Sequence, residues 1–112
     1  MDDREYQDRV DELFNGIEDH IDELEKDIDV DSTAGMLAIE MPDGSNVVLS
    51  RQIANHEIWV AARSGGFHLS HNDGFWVCGT NNEKLDELLD RVFAEQLGEP
   101  FDGFDLAATH IS

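Results

Sequence analysis

Apolar residues recur at steps of three and four along the start of the chain: Tyr6, Val10, Leu13, Phe14, Ile17, Ile21 and Leu24. That period predicts an amphipathic helix over about residues 4–25. Asp2, Asp3 and Glu5 suit its positive end, while Gly16 costs about 1 kcal/mol relative to Ala. After Lys26 the period drops to two. Asp27, Asp29 and Asp31 alternate with Ile28 and Val30, as on a strand with one wet and one dry face. Met36–Met41 follows, with Leu37, Ile39 and Met41 inward. Pro42-Asp43-Gly44 signals a turn, and Asn46–Gln52 completes a hairpin. Glu57–Ala62, Phe67–His71 and Phe75–Cys78 read as further strands, separated by Ser64-Gly65-Gly66 and Asn72-Asp73-Gly74. Turns this short join antiparallel neighbours. A second helix is expected from near Asn82, with Thr80 and Glu83 spaced as a capping box. Leu85, Leu88, Leu89, Val92 and Phe93 form its stripe, and Gly98 and Pro100 end it.

The order helix, about six strands, helix predicts an α+β, two-layer sandwich. Two terminal helices pack on one face of an antiparallel sheet, and the other face is left to water or a partner. With 112 residues the chain is read as a single domain over 1–112. Its core covers about 3–98, and 99–112 form a C-terminal tail that packs back through Phe101, Phe104 and Leu106 or frays.

Charge narrows the possible functions. Seven Lys and Arg stand against 26 Asp and Glu, a formal net charge of −19. Nucleic-acid binding needs cations for phosphates, so that class is set aside, as is adsorption to anionic membranes. The single cysteine, Cys78, allows no internal disulfide and no Cys-rich zinc site. The acidic start of the chain is unlike a signal peptide, and no apolar run approaches the ~20 residues of a membrane span. Together these point to a soluble, reducing, cytoplasmic setting.

Residues 1–31 hold 14 acids and three bases. On the first helix Asp11, Glu18, Asp22 and Glu25 form one line, and Asp19 and Glu23 a parallel one. Side chains at these spacings are neighbours. Asp27, Asp29 and Asp31 continue the acids on the first strand. Like charges this close repel, and a hard, oxygen-preferring cation would relieve them. The Asp27-x-Asp29-x-Asp31 run is not an EF-hand, because Ser32 and Ala38 stand where the loop needs Gly and Glu. On spacing alone a solvated helix face is the stronger reading, and a convex ridge would hold metal weakly. The histidines, among them His20, His68, His71 and His110, show no metal-ligand spacing, and His20 reads as an edge-of-core residue. Cys78 sits among Phe75, Trp76 and Val77 and reads as a packed thiol. No nucleophilic triad, P-loop or other catalytic constellation is present. Trp59 should point away from Ile58 and Val60, towards the uncovered face, as a partner anchor or as a residue packed on its sheet neighbours.

Several of these segments together resemble the frataxins: the acidic helix, the Asp43-Gly44 hairpin, Leu49-Ser50-Arg51-Gln52, Ile58-Trp59-Val60-Ala61, Ser64-Gly65-Gly66-Phe67-His68 and Phe75-Trp76. The short N-terminus, read as carrying no targeting peptide, resembles the bacterial branch, the CyaY proteins, and the likeness covers about residues 3–100. The resemblance implies a helix–sheet–helix sandwich that binds ferrous and ferric iron weakly at its surface, where other hard cations can substitute. It implies regulation of iron–sulfur cluster assembly by docking on a cysteine desulfurase and the scaffold complex, with an iron-donor role as a further proposal. Carried over by position, the metal-binding acids are Glu18, Asp19, Asp22, Glu23, Glu25, Asp27, Asp29 and Asp31. The partner-binding residues are Trp59, with Arg51 and Gln52 near it, together with Glu18 and Asp22. The resemblance also implies a monomer, or an oligomer formed with metal. Two departures stand out: Ser50, where the family usually carries Asn, and the long tail after Gly98. Ferroxidase activity, with Asp19-His20 as the nearest feature, and a non-metal acidic interaction module remain as alternatives.

Overall fold

The computed structural model describes residues 2–23, 27–33, 35–63, 65–72, 75–79 and 82–98. The helical stripe folds as its spacing dictates. Helix α1 runs Asp3–Glu23 and buries Tyr6, Val10, Leu13, Phe14, Ile17 and Ile21. The Asp2 carboxylate accepts the Glu5 N–H at 2.8 Å, which satisfies one of the free donors at the helix start. Strands β1 (Asp29–Thr33), β2 (Met36–Glu40), β3 (Asn46–Gln52), β4 (Glu57–Ala62), β5 (Gly65–Asn72) and β6 (Phe75–Cys78) follow, and helix α2 spans Leu85–Leu97. The strands form one antiparallel sheet in chain order, β1 to β6.

Alternation sorts the sheet into two faces. Leu37, Ile39, Val47, Leu49, Ile58, Val60, Leu69, Trp76 and Cys78 are buried. They join one core with the α1 stripe and with Leu85, Leu88, Leu89, Val92 and Phe93 of α2. Both helices therefore cover the same face, as the sequence pattern predicts. Full burial of a Leu, Ile or Phe side chain contributes roughly 1.5–3 kcal/mol, so this contiguous core is the main support of the fold. Cys78 is fully buried in it.

Polar latches tie each helix to an end of the sheet. The Tyr6 hydroxyl donates to the Glu57 carbonyl at 2.6 Å and accepts the Gln52 N–H at 2.9 Å. Burial pushes its pKa up. His56, in the left-handed conformation at φ 52°, stacks on the Tyr6 ring and meets Asp3 at 2.7 Å. At the other end the Gln96 side-chain amide donates to Ser45 Oγ at 2.8 Å, and its carbonyl accepts the Arg63 N–H at 3.1 Å. There the β2–β3 turn closes through Gly44 at φ 88°, with the Gly44 N–H on the Met41 carbonyl at 2.9 Å.

Helix α2 differs from its predicted start. It begins at Leu85, because Lys84 forms a β-bridge with Val77 and Asn82 takes a positive φ of 59°. Neither conformation continues a helix. Glu87 accepts the Lys84 N–H at 3.1 Å, while Glu83 instead binds the Arg91 guanidinium through two contacts of 3.1 and 3.0 Å. Thr80 lies outside the described residues, as do Leu24, Glu25, Pro100, the Asp73-Gly74 turn, His110 and the tail 99–112. At the C-terminus Gly98, at φ 73°, donates its N–H to the Ala94 carbonyl and ends the helix.

Candidate functional site

The acidic residues are placed by two elements in two layers. On α1, Asp19, Asp22 and Glu23 are exposed and Glu18 is half-buried, on the side away from the stripe. Asp27, Asp29 and Asp31 are exposed. Val30 turns inward against the core, so Asp29 and Asp31 point outward from the uncovered face of the sheet. The helix row and the strand row therefore lie on opposite sides of the β1 edge and do not merge into one concave site.

The strand row has a neighbour that the sequence reading did not single out. Asp29 pairs with Glu40 across β1 and β2, so two carboxylates stand directly opposite each other, which destabilises the pair. A shallow groove of about 270 Å³ is lined by Asp29, Val30, Asp31, Ala38, Glu40 and Asn46. Glu40 could have been found from the alternation of Leu37 and Ile39, but only with the β1–β2 register in hand.

The electrostatics are uneven. Among the described residues no basic side chain pairs with Glu18, Asp19, Asp22, Glu23, Asp27 or Asp29. Asp31 accepts the Thr33 hydroxyl at 3.1 Å. Asp11, which the spacing puts on the same helix line, is held by Arg51 at 2.9 Å. Also among the described residues, no three carboxylate, imidazole or thiol groups converge on a point where they could hold one ion. The donor set is all carboxylate, which suits a hard cation. Its spread suits loose and exchangeable association rather than a closed coordination shell. Glu25 lies outside the described residues.

The second surface is the uncovered face of the sheet around Trp59. With Ile58 and Val60 buried, Glu57, Trp59 and Ala61 point outward. Trp59 pairs with Ser50 on β3 and with His68 on β5. Its ring stacks on His68, with centroids 4.3 Å apart and planes at 9°, and its Nε1–H donates to Glu57 Oε1 at 2.9 Å. A groove of about 160 Å³ runs past Val48, Ser50, Trp59, Ala61, Gly66 and His68. His68 is thus an aromatic partner of Trp59, whereas His71 lies edge-on to the buried Trp76. Gln52 shares the outer face, paired with Glu57.

Arg51 does not join this surface. One residue of offset puts it on the helix side of β3, opposite Ile58. There it donates to Gln7 and Asp11 of α1 and lies over the Phe14 ring at 5.3 Å. The expectation that Arg51 lies near Trp59 is corrected by strand parity: adjacent residues on a strand face opposite ways.

Comparison with known proteins adds independent findings. Residues 1–99 match the family model described as a frataxin-like domain. The chain is 43% identical over 103 residues to the iron–sulfur cluster assembly protein CyaY of Stutzerimonas stutzeri, covering 90% of this chain and 94% of that protein. It is 40% identical over 92 residues to the protein of the same name from Azotobacter vinelandii, covering 80% and 84%. Among solved structures, frataxin from Psychromonas ingrahamii superposes with a TM-score of 0.86 at 27% identity, covering 94% of this chain and all of that one. A trimeric frataxin from the yeast Saccharomyces cerevisiae, complexed with ferrous iron, gives 0.71 at 26% identity, covering 81% and 87%.

Proposed function

The chain belongs to the frataxin-like family, and from that premise we propose that it is an iron-binding regulator of iron–sulfur cluster assembly. It acts by docking and cation binding rather than by bond-making catalysis. The acidic flank, with Glu18 and Asp22 at its centre, docks on a basic patch of a cysteine desulfurase. Iron is cargo, held weakly by Glu18, Asp19, Asp22 and Glu23 on α1 and, as a separate row across the β1 edge, by Asp27, Asp29 and Asp31, and its binding alters the fit to the partner. Trp59 and Gln52 on the open sheet face touch the scaffold side of the same complex. Arg51 serves this surface only indirectly, by fixing α1 to β3.

The observation that carries the reading is the run of four carboxylates from Glu18 to Glu23 without a basic partner among the described residues. Unpaired like charge on one flank favours a positive visitor. The test is binding of the purified desulfurase to the protein and to its Glu18→Lys/Asp22→Lys variant over a salt series. Binding that falls steeply with salt and vanishes in the variant supports the mechanism; salt-insensitive binding, or full binding by the variant, rejects it. Ferrous ion separates a metal role from a purely acidic module. A melting temperature that climbs with ferrous concentration at constant ionic strength marks true binding, and one that follows ionic strength alone marks the module.

A further inference from the structure

We propose that the slot between Trp59 and Ser50 on the open sheet face receives an arginine side chain of a protein partner. This rests on the reading of the Trp59 face as a docking surface and names the chemistry that face takes. The His68 stack fixes the indole. Its 4.3 Å centroid separation is close to the ~4.8 Å spacing of neighbouring strands, so the two rings stand face to face across β4 and β5. The other face of the indole then looks towards β3, where its cross-strand partner is Ser50. A serine is too short to cover it. The ring is left with one face stacked and one turned to the short Ser50, and the groove over the adjacent row Val48, Ala61 and Gly66, which Ser50, Trp59 and His68 also line, opens beside it.

Charge decides what fills it. Outward positions on the strands carry Asp29, Asp31, Glu40 and Glu57, and no Lys or Arg. Lys84 at the far edge lies over the Phe75 ring, 4.1 Å from its centre. Among the described residues Glu57 has no basic partner; one of its carboxylate oxygens takes the Trp59 Nε1–H, which leaves acceptor capacity beside the indole. A planar guanidinium stacks on an indole and donates from its edge to a carboxylate. An ammonium lacks the flat face, and an uncharged side chain lacks the attraction to the carboxylates. Glu57 and His68 are accordingly positioning residues, holding the ring in the plane that an arginine needs.

The test titrates Nα-acetyl-arginine amide and its neutral isostere Nα-acetyl-citrulline amide into the 15N-labelled protein. It follows the Trp59 indole N–H resonance, with the buried Trp76 as the internal reference. The expected result is a saturable Trp59 shift with the arginine probe, at least fivefold weaker binding of the citrulline probe, and an unmoved Trp76. Ser50→Tyr should fill the slot and remove the response, while Ser50→Gly should keep it. Equal binding of the two probes, no Trp59 shift, or an unchanged response in Ser50→Tyr overturns the proposal. Binding of the assembly complex by Trp59→Ala separates it from the docking reading. If the complex is weakened but the arginine probe never binds, docking stands and the slot falls. If Trp59→Ala binds the complex as well as the parent does, the docking reading falls and the partner's arginine with it.

Discussion

The two ends of α1 carry similar densities of acid and meet opposite fates. In the first half Asp2 takes the Glu5 N–H, Asp3 meets His56, Glu5 pairs with Arg9, and Asp11 is held by Arg51. In the second half Glu18, Asp19, Asp22 and Glu23 have no basic partner among the described residues. The helix dipole widens the contrast, because it favours acids at the N-terminus and opposes them in the last turn. Asp3, Glu5 and Asp11 in the first half thus have partners that support the fold, with Asp8 lacking a basic partner among the described residues, while the four acids of the second half have none.

The largest expected effect breaks the contrast through binding. Glu18→Lys with Asp22→Lys should weaken desulfurase binding by about tenfold or more per reversed charge, as close charge pairs at an interface do. Asp3→Asn with Glu5→Gln should leave it within about twofold. Isothermal calorimetry on both pairs decides; equal losses from the two ends would mean that net charge alone matters and the halves are equivalent.

The next effect is on stability and belongs to the first half alone. Tyr6→Phe removes a hydroxyl that serves both the Glu57 carbonyl and the Gln52 N–H. Leaving two part-buried backbone groups without that partner should cost about 1–3 kcal/mol in urea unfolding. A loss under about 0.3 kcal/mol would show that water replaces the hydroxyl without penalty and that the latch is incidental.

Smaller and opposite in sign are single neutralisations. Asp22→Asn relieves repulsion from Glu18 and Asp19 and from the helix end, and should stabilise by about 0.3–1 kcal/mol at low salt. Asp11→Asn breaks an ion pair that is open to solvent on the Asp side and should destabilise by about 0.2–1 kcal/mol. Both shifts should shrink together as salt is raised. If the two substitutions change the urea midpoint in the same direction, the division of α1 into partnered and unpartnered halves fails.

How much of this was legible in the sequence depends on how far apart the partners lie. The α1 stripe, the α2 stripe and the alternation of Leu37, Ile39, Ile58 and Val60 read directly, because periodicity is local and the core only has to collect it. The outward aim of Trp59 followed from the same alternation. Partnerships across the fold did not. Arg51 reaches Asp11 and His56 reaches Asp3 over 40 and 53 residues of chain, and no spacing rule links them. Arg51 shows the cost of reading a motif as a patch: it is next to Gln52 in sequence and on the other face of the sheet. His68 needed the β4–β5 register before it could be seen as the stacking partner of Trp59. The start of α2 departs from the capping pattern because the Val77–Lys84 bridge is a tertiary contact, invisible in local spacing.

The smallest predicted effect uses a carboxylate that has what the second half of α1 lacks. Asp43 in the β2–β3 turn accepts the Ser45 N–H at 2.9 Å and the Ser45 hydroxyl at 2.6 Å, and it is paired with Arg63. Those hydrogen bonds, with the Arg63 charge behind them, hold its carboxyl well below the usual carboxylate range. Because the folded value lies below the unfolded one, the stabilisation is fully present above the unfolded pKa of about 3.9 and is lost as pH falls below it towards the folded value. The parent protein should therefore exceed Asp43→Asn in urea midpoint at pH 7, and the gap should narrow steadily between about pH 5 and pH 3. A gap that widens on acidification would mean the carboxylate is more costly than its donors can offset. It would then belong with Asp22 rather than with Asp11, and ordered donors would no longer explain why one acid supports the fold and another weakens it.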